Sequence, residues 1–406
     1  MGHSLLFLVA ILAVVLAAAH PPAREIKTFA DAYRLVSGHR VSKDDAEAFA
    51  AWFGKDALEK GTDPHSEDLR FIFAVSAPTH EAEVFATSDD GSWSVRLKQL
   101  GGTDVFAAAA TLPEMAAFRW SYRIGAERKG GGELEAYTYP PETKPQPGVP
   151  RGSVEEQTPW RSEVFPGTTR QWWIYVPQEY NPHKSACLFV VQDGQWDRNS
   201  WTVVLDNMIA TRQIPVSIAV FLTPGTIHKE LDNRSVEYDT VSDRYVTMIA
   251  DEILPEVSRR YNIRQDAKGH VIAGVSSGGI CAFNAAWFRP ELFHKVISWV
   301  GSFTNLQGGP TGVAGGNTYP AIIRHLAGWD RKGEPKPMRV FLQDGSNDLD
   351  NAAGNWPLAN QEMASALAFG GYDYRFELGH GFHSTKHGRA LLPEALRWLF
   401  RDEKKG

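Results

Sequence analysis

The sequence predicts an α/β fold, a mostly parallel sheet covered by helices on both faces, preceded by a small all-β sandwich. Three observations lead there. Beyond residue 154, short apolar runs alternate with stretches of helical spacing, the pattern left by strands buried on both faces. Between residues 66 and 139 the period changes to two, with turn signals between the runs. The two regions are separated by residues 140–153 (PPETKPQPGVPRGS), whose five prolines mark a linker. A chain of 406 residues suits two domains.

Each segment can be justified in order. Leu5 to Ala19 is an unbroken run of fifteen apolar residues, closed by Ala17-Ala18-Ala19 and then His20-Pro21-Pro22. A bilayer span needs ~20 residues. The run instead has the length of a signal-peptide core with small residues at a cleavage site, although Met1 to Ser4 holds no Lys or Arg. Residues 1–19 are therefore expected to be a signal peptide, the protein to be exported (periplasmic or extracellular), and no membrane span to remain after its removal. Residues 20–65 form a helical segment. Ser42 opens a capping pattern with Asp45, followed by Ala46, Phe49, Ala50 and Phe53 at helical spacing.

In residues 66–139 the runs Trp93, Val95, Leu97 and Phe118 to Ile124 alternate apolar with polar, and Asp90-Gly91, Gly101-Gly102 and Gly130-Gly131-Gly132 supply turns. Short strands so spaced predict a small β-sandwich. Residues 154–406 carry the larger domain. Strands are expected at Arg170–Pro177, Ala186–Gln192, Val216–Leu222, His270–Val275, Lys295–Val300, Met338–Gln343 and Tyr374–Leu378. Helices are expected at Asp243–Tyr261, Ile280–Phe288, Pro357–Phe369 and Arg389–Phe400. This domain has enough elements to bury its own core, so a chain starting near Ser153 is expected to fold without residues 20–150.

Composition narrows the function. The net charge of −6 is spread along the chain without a basic block, which argues against nucleic acid as a partner. Two cysteines, Cys187 and Cys281, are too few for a disulfide framework and are expected to be buried free thiols.

The chemistry is concentrated after residue 270. Gly274-Val275-Ser276-Ser277-Gly278 falls where a strand ends and a helix begins. A sharp turn there lifts the serine hydroxyl above the sheet, and neighbours without side chains let the two backbones approach. That context makes Ser276 a candidate nucleophile of an α/β-hydrolase. Such a serine needs a base, and the base an orienting acid, in the chain order Ser, Asp/Glu, His. Asp348 follows the strand Met338–Gln343, with Asp344 and Asp350 as competitors. His383 follows the strand Tyr374–Leu378, with His380 and His387 as competitors. The three histidines do not match a zinc donor set, and no metal or other cofactor is expected.

From Trp160 to Trp398 the chain resembles the esterase family that includes enterochelin esterases, feruloyl esterases and the esterase D group. The residues that carry the resemblance are Val191-Gln-Asp-Gly194, Arg234 with Glu237-Tyr238-Asp239, Glu252-Ile-Leu-Pro255, Gly274 to Gly279, Pro290-Glu-Leu-Phe293, Gly345-Ser-Asn-Asp348 and Gly381-Phe-His383. The sandwich is similar to the immunoglobulin-like domain that precedes the hydrolase in enterochelin esterases. Feruloyl esterases of the family place their acid in Gly-Thr-Asn-Asp and their base in Gly-Gly-His, which implies Asp348 and His383. This chain has Gly-Phe-His in the second place. The oxyanion hole is expected from the N–H of Ser277 and, in the loop after Gly194, that of Gln195. Arg234 either reaches the mouth of the site to bind an anionic or phenolic group or pairs with Glu237 or Asp239. Trp93, Trp120, Tyr122 and Tyr137 are expected in a core, the other role for such rings being to stack on sugars.

These observations imply an exported serine carboxylic-ester hydrolase that works through an acyl-enzyme. Its substrate is expected to be a bulky ester, carbohydrate-linked or aromatic, either a small molecule or attached to a polysaccharide. The other readings are an enterochelin-type siderophore esterase, an acyltransferase of the same fold, and a non-catalytic carbohydrate- or surface-binding protein.

Overall fold

The computed structural model describes residues 25–38, 40–81, 83–228, 231–307, 315–328 and 334–403, so the expected signal peptide at residues 1–19 lies outside the described residues. The chain divides into two compact units, residues 1–110 with 121–132, and residues 111–120 with 133–406.

In the first unit, helices α1 (Phe29–Ser37) and α2 (Lys43–Phe53) each begin at a capping box, Thr28 with Asp31 and Ser42 with Asp45. A short α3 (Lys55–Lys60) follows. Strands β1 (His65–Glu67), β2 (Arg70–Ser76), β3 (Val84–Ser88), β4 (Ser94–Arg96), β5 (Lys98–Gln99), β6 (Val105–Thr111), β7 (Ala117–Ile124, of which 121–124 belong to this unit) and β8 (Glu127–Glu135, of which 127–132 belong to this unit) form two four-stranded sheets. Their orders are β1-β2-β6-β5 and β4-β3-β7-β8. Phe71 to Val75 are all buried because β2 is covered on both faces. Ile72 and Ala74 pack with Leu35, Phe49 and Phe53 of the helices, while Phe73 meets Trp93 at 5.1 Å. Helices α1 and α2 therefore share a core with the strands. Trp120, Tyr122 and Tyr137 are buried, and the Tyr122 hydroxyl accepts from the Ala74 N–H at 2.8 Å. These rings are core.

The second unit is built on strands β9 (Ser153–Glu156), β10 (Trp172–Val176), β11 (Cys187–Gln192), β12 (Ser217–Leu222), β13 (His270–Val275), β14 (Lys295–Trp299), β15 (Arg339–Gly345) and β16 (Asp373–Gly379). They form one sheet in the order β16-β15-β14-β13-β11-β12-β10-β9. From β16 to β12 all pairs are parallel, and β10 and β9 join antiparallel. This is the mostly parallel sheet expected of an α/β-hydrolase.

Alternate residues feed opposite faces. Leu188, Val190 and Ile272 pack on one side with Phe283 of α8 (Ser277–Phe288) and Met363 of α10 (Trp356–Phe369). Phe189, Val191 and Ala273 pack on the other with Leu205 of α4 (Gly194–Ala210) and Leu396 of α11 (Lys386–Leu399). Cys281 belongs to the first core and Cys187 to the second, so the sheet keeps the two free thiols apart. The helix expected over 243–261 is present with a π-helical turn, Ile249–Ile253, between its α-helical pieces. Among the described residues no helix is long and apolar enough to cross a membrane.

Residues 140–153 do not behave as a spacer. Asn207 of α4 donates to the carbonyls of Glu142 (2.8 Å) and Lys144 (2.9 Å). The Glu142 carboxylate accepts from Gln213 and from Arg397 of α11, and the Gly152 N–H donates to Asp206. The segment is a strap fastened along this unit. A chain starting at Ser153 would lose the strap and would also lack residues 111–120 and 133–139 of its own unit.

Candidate active site

The end of β13 and the start of α8 bring Ser276 into position. Ser276 has φ 57° and ψ −120°, a conformation that costs a non-glycine residue about 1–3 kcal/mol and is held by its surroundings. Its N–H donates to the Trp299 carbonyl at 2.9 Å, and its carbonyl accepts from Ser302 N–H at 3.1 Å. Gly274 is required for the approach of strand and helix, since a Cβ there would lie 2.2 Å from the Gly278 carbonyl oxygen.

His383 Nε2 lies 2.8 Å from Ser276 Oγ, and His383 Nδ1 lies 2.6 Å from Asp348 Oδ1. The structure thus brings together the three residues expected from the sequence, separated by up to 107 positions along the chain. The Asp348 side chain is wholly buried, and the same Oδ1 accepts from Leu349 N–H at 2.6 Å. Trp356 stands edge-on to the His383 ring at 5.8 Å. Its indole N–H donates to Ser302 Oγ at 3.3 Å, itself 3.3 Å from Ser276 Oγ. Ser302 and Trp356 were not found from the sequence, because neither stands near a motif.

The competing residues go elsewhere. His380 and Asp350 are exposed. His387 is buried against Tyr137, ring on ring at 4.9 Å, and burial lowers its basicity. Among the described residues no three His, Cys, Asp or Glu side chains gather as a metal site. Asp344 lies beneath Asp348, fully buried, and burial together with a hydrogen bond to the Asp348 carboxylate pushes it up to about 9. At neutral pH Asp344 is the protonated member of the pair.

That assignment has a testable consequence. A carboxyl group whose pKa is raised on folding stabilises the protein fully below its unfolded value, and the contribution is lost as pH rises through the folded value. Wild-type stability should therefore fall from about pH 4 towards pH 9 for this group. Asp344→Asn, a neutral isostere, should hold that stability. Melting temperatures measured from pH 6 to 9 should show the variant gaining on wild type as pH rises, and a gap that shrinks with pH would refute the assignment.

Ser276 opens into a cavity of about 330 Å³ lined by Asp193, Trp196, Trp201, Arg234, Trp299, His383 and Arg389, among others. Ser277 and Gln195 stand in the first turns of α8 and α4, where backbone N–H groups have no partner within the helix. Asp193, just before α4, has φ 55°. Arg234 grips it through Nε (3.0 Å) and Nη2 (2.8 Å), with a third bond to the Val275 carbonyl at 3.3 Å. The expected partners of Arg234 were Glu237 or Asp239. Glu237 is taken instead by the fully buried Arg170, and the Arg234 fork ties together the two loops that carry Gln195 and Ser276. Across the cavity, Arg389 of α11 pairs with buried Asp197 of α4 through Nε at 2.8 Å.

Residues 162–399 match the family model described as "Putative esterase". The chain belongs to this family. It is 26% identical over 245 residues to the iron(III) enterobactin esterase of Dickeya dadantii, covering 59% of this chain and 53% of that one. The chain spans about half the length of the curated relatives it matches. Among solved structures, the enterobactin esterase of Shigella flexneri, determined in the presence of enterobactin, superposes with a TM-score of 0.59 at 18% identity. That match covers 86% of this chain and 98% of the other. A ferulic acid esterase superposes with a TM-score of 0.51 at 19% identity over 62% of this chain and 98% of its own. At these identities the structural likeness establishes the fold.

Proposed function

We propose that the protein is an exported serine carboxylic-ester hydrolase acting through an acyl-enzyme on a bulky aromatic or carbohydrate-linked ester. The observation that carries this reading is the unbroken relay from Asp348 through His383 to Ser276, at 2.6 and 2.8 Å. His383 takes the proton from Ser276 Oγ as it attacks the ester carbonyl, and Asp348 fixes the tautomer and stabilises the imidazolium that forms. The proton then passes to the leaving alkoxide, and a water activated by the same histidine releases the acid. The N–H groups of Ser277 and Gln195 hold the oxyanion, with Arg234 fixing the loop that carries the second donor.

The cavity supports an aromatic part in the substrate. Trp196 is 68% exposed at its rim, and the Arg234 guanidinium sits 5.8 Å from that ring. A phenolic or catechol ring stacked there would face a cation. The relatives named as enterobactin and ferulic acid esterases are consistent with such a substrate, and the apolar run at Leu5 to Ala19 is consistent with export.

The test is turnover of acetyl, feruloyl and catecholate esters by the full chain, with product analysis in the presence of alcohol acceptors to separate hydrolysis from transfer. Trp196→Ala should raise KM for the aromatic esters by roughly five- to tenfold and change p-nitrophenyl acetate turnover by less than about twofold. Equal effects on both substrate types would remove Trp196 from aromatic recognition.

A further inference from the structure

His383 is flanked by Phe382 and Ser384, and both are held by residues far upstream. Ser384 Oγ donates to Glu135 Oε1 at 2.6 Å, and the Lys386 N–H donates to Ser384 Oγ at 3.2 Å. The second oxygen of Glu135 accepts from the Tyr137 hydroxyl at 2.9 Å. Tyr137 in turn stacks on His387, in the first turn of α11. The guanidinium of Arg119 lies over the Phe382 ring at 5.6 Å and pairs with Glu133 at 2.9 Å. All of these residues belong to the second unit. Both Glu135 and Tyr137 are buried, 7% and 2% exposed.

The backbone is fitted to this arrangement. A Cβ at Gly381 would lie 2.4 Å from Glu135 Oε2 and 2.6 Å from the Tyr137 hydroxyl, so any larger residue there would displace the pair. Burying a carboxylate costs several kcal/mol unless its oxygens are bonded, and each oxygen of Glu135 has a donor. Glu135 itself does not line the cavity; its partner Ser384, which follows the base, does. Its partners are the residue after the base and the ring that buttresses the next helix.

We propose that Glu135, with Tyr137, is a positioning residue that fixes the His383 loop so that Nε2 stays within reach of Ser276. It fastens the loop from outside the cavity while Asp348 orients the ring from within. This inference rests on His383 as the base. Misplacing a catalytic group by about 1 Å costs roughly a hundredfold in rate, whereas substrate affinity is set by other groups. The effect should therefore fall on kcat and leave KM alone.

The experiment uses the full chain, p-nitrophenyl acetate, and the rate at which a fluorophosphonate labels Ser276. Glu135→Ala should lower kcat by roughly 10- to 100-fold with KM within about threefold, and slow labelling by the same factor. Glu135→Gln keeps an oxygen that accepts from Ser384 Oγ and should recover to within about threefold of wild type. Added to His383→Ala, Glu135→Ala should cost no more than about twofold, because the group it positions is gone. If Glu135→Ala does not fold, Ser384→Ala cuts the same bond from the other side and is read by kcat and the labelling rate alone, since Ser384 also lines the cavity. A folded Glu135→Ala with kcat within about twofold of wild type would overturn the proposal. So would an undiminished loss in the inactive His383→Ala background. Near wild-type turnover by His383→Ala itself would instead overturn the base assignment, and this inference with it.

Discussion

Replacing Ser276 with alanine is expected to lower kcat on p-nitrophenyl acetate by roughly four to six orders of magnitude, with little change in KM. The loss is chemical and not structural. Alanine at φ 57° bears the same backbone cost as serine, the Trp299 and Ser302 bonds involve only the backbone of residue 276, and the hydroxyl makes no contact that holds the sheet. The melting temperature should accordingly stay within a few degrees of wild type. What remains is whatever rate oxyanion stabilisation and binding provide by themselves. Turnover within about tenfold of wild type would remove Ser276 from the mechanism.

The second large effect is expected at the other two members of the relay. His383→Ala should be about as damaging as loss of the serine, because neither residue contributes without the other. Asp348→Asn should cost on the order of 10³ to 10⁴ in kcat, since an amide facing Nδ1 favours the wrong tautomer and cannot stabilise the imidazolium. The neighbours provide the contrast. His380→Ala and Asp350→Asn, both exposed, should leave kcat within about twofold. His387→Ala should lower stability, because its ring fills the space against Tyr137. Steady-state kinetics on this set would decide the order, and a severe loss at His380 or Asp350 would redraw the site.

Much of the larger unit was legible in the sequence because parallel strands covered on both faces leave unbroken apolar runs. Cys187 to Gln192 and Ser217 to Leu222 are buried at every position. The strained turn at Ser276 was legible for a related reason. A Gly-x-Ser-x-Gly set between such a strand and a helix names a conformation as well as a residue. Asp348 and His383 could be placed because each lies in the loop after its strand. Of their competitors, His380 and Asp350 are exposed, while Asp344 and His387 are buried away from Ser276 in a strand and a helix, and the sequence shows neither.

Most of the misses share one physical cause, polar partners that are remote in sequence. Helix α4 carries Asp197, Asp206 and Asn207 on buried positions, so its apolar stripe is interrupted and the helix did not stand out. Those residues face inward to bind Arg389, Tyr175 and the strap at 140–153. For the same reason the five-proline strap read as a free linker. Its donors and acceptors lie about sixty residues further on. Arg234 was paired with the nearest acids along its own short helix. Glu237 turns instead towards Arg170, and Arg234 takes Asp193, 41 residues back. In the first unit, β2 lost its alternation because helices cover the face that a two-layer sandwich would leave to solvent.

The central claim, that an acyl-enzyme forms on Ser276 with His383 as its base, is tested most directly by trapping the covalent species. Wild-type protein treated with a fluorophosphonate and analysed as intact mass and as peptides should carry one phosphonyl group. The group should map to Ser276 and not to Ser277 or Ser302, and its formation should be abolished in Ser276→Ala and strongly slowed in His383→Ala. An adduct on another residue, or full-rate labelling of Ser276 in the absence of the His383 imidazole, would contradict the account.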